Sequence, residues 1–163
     1  LAKQESEPMV RWPDAELRRY RNQIYALKPV LEQDVETRID WDMQSPRRLS
    51  GGVLRAKLNP GKGIATDICP DAQLQIRYRK GGEKIHLSNK AHRQELKKLF
   101  QEASIPPWER DRLPLLYREG QLIAVADLWI DISASNEDDK PAWILEWEKN
   151  DTRVTVGQDK SND

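Results

Sequence analysis

The sequence predicts an α+β fold: a mixed or antiparallel β-sheet with one main amphipathic helix at about 90–103 and a short second helix at about 107–113. Two observations carry this. Short stretches of alternating apolar and polar residues recur along most of the 163-residue chain, the period-two signature of half-buried strands. Leu96, Leu99, Phe100 and Ala103 repeat instead at i, i+3, i+4 and i+7, which puts them on one face of a helix.

Taken in order, residues 1–7 are polar and read as a flexible lead-in, and Leu1 is not a natural first residue, so the chain is expected to begin partway through a longer protein. Glu16-Leu-Arg-Arg-Tyr20 and Gln23-Ile-Tyr-Ala-Leu27 form a hairpin about Arg21-Asn22, with Met9–Trp12 as a third strand broken off by Pro13-Asp14. Residues 28–36 connect. Thr37–Trp41 and Gly52–Leu58 alternate as strands, and Pro60-Gly-Lys-Gly63 is a turn. In Gln73–Tyr78, Leu74, Ile76 and Tyr78 share one face, so Arg77 and Arg79 point the other way.

A short strand at Ile85 leads to the main helix, for which Ser88 and Asn89 are N-cap candidates because their oxygens can accept first-turn amides. Ile105-Pro106-Pro107 ends it, since the residue before proline disfavours helical backbone, and Pro107 opens the second helix. Pro114–Tyr117 and Gln121–Ala126 make a hairpin about Glu119-Gly120; Leu128–Ile130 and Trp143–Trp147 are further strands. Residues 136–140 are a solvated loop, and 151–163 a flexible end with a disordered tail.

Composition narrows the function classes. Only 37% of residues are hydrophobic against 33% charged, so the core is lean, and six Trp and four Tyr compensate with large buried areas. Cys69 is the sole cysteine, which excludes an intrachain disulfide and a thiolate metal cluster. No apolar run is long enough for a bilayer, so no membrane partner is expected and the protein is read as soluble and cytoplasmic. Zero net charge argues against indiscriminate nucleic-acid binding. The average conceals a split: 77–118 holds eleven Lys/Arg against five Asp/Glu, whereas 131–163 holds four against nine. Such asymmetry fits one polyanion-facing surface, although local imbalance of this size is common by chance.

Three fragments that look catalytic fail on inspection. Ser50-Gly51-Gly52 begins like a pyrophosphate loop, but Leu54 and Arg55 stand where Asp and Ser are required. Trp12-Pro13-Asp14 has no Cys-x5-Arg cradle to serve, since Gln75 lies six residues after Cys69. His86, His92 and Cys69 match no common metal spacing. No catalytic residue and no metal ligand are assigned.

The informative stretch is 95–117. It sets Lys97 and Lys98 on the polar side of a helix and then delivers Arg110 and Arg112 after a stiff Pro106-Pro107 stop. With the outward Arg77 and Arg79, these cations can follow a phosphate backbone, and arginine can also fork onto phosphate or stack on a base. The bland reading is a solvated helix face with a Lys98–Glu102 pair. Trp108 after Pro-Pro reads more readily as a core anchor than as a stacking platform.

Leu96-Lys-Lys-Leu-Phe-Gln-Glu102, Ile105-Pro-Pro-Trp-Glu-Arg110 and Pro114-Leu-Leu-Tyr117 with Leu122-Ile-Ala-Val125 resemble the C-terminal domain of tRNA(Ile)-lysidine synthetases. The family pattern falls on Lys97, Lys98, Pro106, Pro107, Trp108, Arg110, Pro114, Leu115 and Leu116, with Arg77 at a basic position in the preceding strand. Ala91-His92 departs from the small, Gly-rich approach expected before the helix. The likeness implies a tRNA-recognition domain over 8–150 with its best-matched core at 74–130, similar in fold to a tRNA-synthetase β-subunit module. It implies a parent enzyme that uses ATP to ligate lysine onto cytidine 34 of tRNA(Ile), forming lysidine. ATP with Mg would then belong to a separate N-terminal catalytic domain, and this chain needs no cofactor. The implied partners are tRNA(Ile) and that catalytic domain. Lys97, Lys98, Arg110 and Arg112 are the expected RNA contacts, backed by Arg77 and Arg79; Arg112 rests on charge and position only. The competing expectation is a protein-interaction module using strand edges and tryptophans.

Overall fold

The computed structural model describes residues 9–28, 33–136 and 139–150, which form two compact units. The expected flexible ends, 1–7 and 151–163, lie outside the described residues, as do parts of the 28–36 connection and the 136–140 loop.

The described part of the first unit is a three-stranded antiparallel meander: β1 (Met9–Arg11), β2 (Glu16–Tyr20) and β3 (Gln23–Leu27). Its turns are the expected ones. The Trp12 amide donates to the Ala15 carbonyl across Pro13-Asp14, and Arg21, at φ 54°, takes the left-handed conformation that a two-residue hairpin needs. Glu16 is buried in this small sheet, and Arg18 (2.9 Å) and Arg11 (3.2 Å) neutralise it. A buried carboxylate without such partners would be costly.

The second unit begins with β4 (Arg38–Trp41), β5 (Arg47–Leu49), β6 (Gly52–Pro60), β7 (Ile64–Ala65) and β8 (Leu74–Arg77). There follow β9 (Lys84–Ile85), β10 (Gln94–Glu95), α1 (Leu96–Glu102) and α2 (Pro107–Arg110). It closes with β11 (Leu115–Arg118), β12 (Gln121–Val125), β13 (Trp129–Ile130) and β14 (Pro141–Lys149). One sheet has the order β13-β12-β11-β8-β4, a second β5-β6-β14-β7, and β9 pairs with β10; every pairing is antiparallel.

Alternation explains how the layers stack. Leu74, Ile76 and Leu116 face Leu54, Ile64, Trp143 and Leu145 of the other sheet and join Trp41 in one core. Leu115, Leu122 and Val125 point to the opposite face, where Leu96, Leu99 and Phe100 of α1 cover them with Ile85. The unit is thus a two-sheet sandwich with α1 laid over part of one outer face.

The helical elements are shorter than the sequence suggested, so the reading of one main helix over 90–103 is corrected to two short helices on a β scaffold. Gln94 and Glu95 pair with Ile85 and Lys84, and the Leu96 amide continues that ladder to the Glu83 carbonyl (3.0 Å). Glu95, in extended backbone and without a side-chain cap, therefore precedes the helix instead of Ser88 or Asn89. The reason is visible in the pattern itself. Its apolar repeat begins at Leu96, while Lys90–Arg93 are exposed and have no apolar face to bury. Ser104, at φ 57°, ends α1 as its Ile105 neighbour donates back to the Phe100 carbonyl. α2 stops at Arg110 because Leu113 turns into the core and Pro114 follows.

Candidate nucleic-acid interface

α1 presents Lys97 and Lys98 to solvent because Leu96, Leu99 and Phe100 take its buried side. Lys98 lies 3.9 Å from Glu102 with both side chains more than half exposed, a contact too screened to hold the ammonium. Lys97 meets no carboxylate among the described residues. These two cations are the readily available ones on the helix.

The arginines are placed differently from one another. Arg79 is mostly covered: its guanidinium lies 5.6 Å from the centroid of the Phe100 ring and 3.7 Å from Asp111, so it braces α1 against the segment after α2. Arg110 is buried at 6% exposure and donates from Nε to the Ile105 carbonyl (2.7 Å). That bond ties the end of α2 back across Pro106-Pro107. Arg112 is half-buried, with its Cβ and carbonyl packed where a Cβ on Gly51 would come within 3.0 Å. Trp108 is buried as an anchor, although it is not part of the Leu96/Leu99/Phe100 cluster. Pro114 is buried too, its carbonyl accepting from the Ala126 amide.

Arg77 belongs to a separate location. It stands on the outer face of the five-stranded sheet beyond the cover of α1, its guanidinium 4.3 Å from the Tyr117 ring centroid and its Nε on Gln75 Oε1 (2.7 Å). Arg38 is its registered neighbour on β4. The structure therefore places the six expected RNA-contacting cations differently: Lys97 and Lys98 exposed, Arg79 and Arg112 half-buried, Arg110 buried, and Arg77 on the open sheet face. Tyr117 and Arg38 escaped the sequence reading because strand pairing across some forty residues brings them to Arg77, whereas Gln75 lies two residues away on the same strand face.

The Ser50-Gly51-Gly52 segment is the β5–β6 turn. A Cβ on Gly52 would sit 2.2 Å from the Glu148 carbonyl oxygen, so glycine is required there for strand packing. At Gly51 an added Cβ would meet Arg112 at 3.0 Å, so both glycines are held close to neighbouring protein. Among the described residues no three His, Cys, Asp or Glu side chains gather as a metal site, and no helix is long and apolar enough to cross a membrane.

The fold is thus a β-sandwich with a short helix that presents paired lysines to solvent. Residues 74–147 match the family described as the TilS substrate C-terminal domain. Relatives called tRNA(Ile)-lysidine synthase include those of Methylococcus capsulatus (33% identity over 86% of this chain and 32% of the relative) and Alkalilimnicola ehrlichii (38%, over 78% and 29%). The chain thus spans about a third of the length of the curated relatives it matches. A solved structure described as the crystal structure of TILS C-terminal domain aligns over 78% of this chain and 86% of that one, with 20% identity and a TM-score of 0.44. Residues 74–147 thus belong to the TilS substrate C-terminal domain family, and the chain as a whole is similar to part of the tRNA(Ile)-lysidine synthases.

Proposed function

We propose that this chain is the tRNA-recognition part of a tRNA(Ile)-lysidine synthase, spanning 8–150. In this reading the whole protein ligates lysine onto cytidine 34 of tRNA(Ile) with ATP, in the cytoplasm, and a separate catalytic domain binds ATP and Mg. This chain selects the substrate and performs no chemistry. The carrying observation is the exposed Lys97–Lys98 pair on α1, set on a rigid β scaffold within the family-matched stretch. Lys97 and Lys98 contact backbone phosphates, Arg112 lies at the margin of that surface, and Arg77 acts from the open sheet face. Arg79 and Arg110 serve by holding α1 and the Pro-Pro turn in place.

A binding titration of this chain against tRNA(Ile) and an unrelated tRNA at several salt concentrations tests the reading. Tighter binding to tRNA(Ile), weakening steeply with salt, is the expected result, because each neutralised phosphate releases counterions. Salt-insensitive behaviour with no tRNA binding would favour the second reading, a protein-interaction module. The observation behind that alternative is the exposure of Val10, Trp12 and Ile24 on the three-stranded sheet.

A further inference from the structure

The open part of the five-stranded sheet carries a cleft, lined by Asp40 of β4, Gln75 and Arg77 of β8, Tyr117 of β11, and Glu119-Gly120 of the β11–β12 turn. Asp40, Gln75 and Tyr117 share one registered row, so the pairing of three strands sets their spacing. The Tyr117 ring holds the Arg77 guanidinium from below and Gln75 fixes its Nε, leaving both terminal nitrogens without a described protein acceptor. Burial first, then Glu83, raises the Tyr117 phenol against the opposing pull of Arg77, so it stays a neutral donor near pH 7.

Such a lining is poorly suited to a phosphate, because the carboxylates of Asp40 and Glu119 share the cleft with the cation. It suits a planar group with two adjacent acceptors on one edge and two adjacent donors on another. Among the four RNA bases that description fits guanine: O6 and N7 accept an arginine fork, and N1–H with N2–H2 donate to a carboxylate. We propose that this cleft binds an unpaired guanine base, with Arg77 on O6/N7 and Asp40 or Glu119 on the N1–H/N2–H2 edge. The proposal rests on the RNA-binding reading above and adds a base-specific subsite to it, apart from the phosphate-facing α1.

The test uses the whole chain, with chemical-shift titration of guanosine, guanosine 5′-monophosphate, inosine, adenosine, cytidine and uridine. A short single-stranded RNA with one guanine among adenines is compared with its all-adenine counterpart. Guanosine and its monophosphate should bind alike, and at least about tenfold more tightly than the other three standard nucleosides. Inosine, lacking the N2 amino group, should bind several-fold more weakly. Tighter capture of the guanine-containing RNA than of free guanosine would identify RNA as the source of the base; the reverse would identify a free nucleotide, with the guanine site standing. Asp40→Asn with Glu119→Gln alters only exposed side chains and should abolish the guanine preference without moving the melting curve. Arg77→Lys, checked by its own melting curve, should do the same. Equal affinity for all four nucleosides, or guanine preference unchanged in the carboxylate variant, overturns the proposal. If the chain binds tRNA(Ile) but shows no base preference, the guanine site alone fails; if it binds no tRNA, the RNA reading fails.

Discussion

Trp108 shows how far a single side chain can decide a local path. It is buried directly after two prolines whose backbone is stiff, so its indole fixes where the chain re-enters the sheet. Trp108→Ala should cost about 3–5 kcal/mol of stability, the range for emptying a large aromatic site. A chemical-denaturation curve checks this, and a variant that melts like the parent yet loses RNA binding would make Trp108 a stacking platform instead. Asp131 is the corresponding case for charge. Burial pushes its carboxyl up, but donors from the His86 amide and from the Ser133 amide and hydroxyl outweigh that and hold it below the ordinary aspartate value, aided by Arg93. A depressed folded-state value means stability that is complete above the unfolded aspartate range and lost as pH falls through the folded value. Melting temperature should therefore drop on acidification below about pH 4, and Asp131→Asn should flatten that acid limb. An unchanged limb in the variant would show that other carboxylates control it.

At the scale of elements, α1 has a buried side that serves folding and an exposed side that carries the proposed phosphate contacts. Lys97→Ala with Lys98→Ala removes only exposed charge and should leave stability within roughly 0.5 kcal/mol. The same variant should weaken tRNA binding across sequences and flatten its log–log salt dependence by about 0.7–0.9 for each phosphate no longer neutralised. Unchanged affinity and slope would mean a merely solvated face. Arg110→Ala should behave in the opposite sense, lowering the melting temperature because the Ile105 carbonyl loses its buried donor. These elements differ in how readable they are from sequence. The 74–77 strand and the 115–125 hairpin announce themselves by alternation and by Glu119-Gly120, both of which take positive φ in the turn. The start of α1 is only half legible: its apolar repeat begins at Leu96, but the pairing of Gln94 and Glu95 with Ile85 and Lys84 leaves no local signal. Short β5 and β7 likewise exist only through their partners β6 and β14. Inward Arg110 looks in sequence like any helix-end cation; its burial follows from the tertiary path of Ile105.

For the molecule as a whole, the proposed role is recognition without catalysis, and it can be tested directly. Purified chain supplied with ATP, Mg, lysine and tRNA(Ile) should form neither adenylated tRNA nor lysidine, as read by product analysis of the digested RNA. Appearance of either would overturn the proposal that this chain performs no chemistry. The long ladder between β6 and β14 has a further consequence, for how such a chain is made. Its two strands meet along nine registered pairs, yet Arg55 and Glu148 stand 93 positions apart. During synthesis β6 emerges with only the short β5 beside it and waits, with one long edge open, until residue 149 has left the ribosome. Non-local pairing of this kind is slow and exposes an aggregation-prone edge. Arg55 and Lys57, which end up against Glu148 and Glu146, interrupt the apolar run of that edge. The charges that later help hold the register thus first act as gatekeepers, keeping the nascent strand from pairing with its neighbours on the polysome.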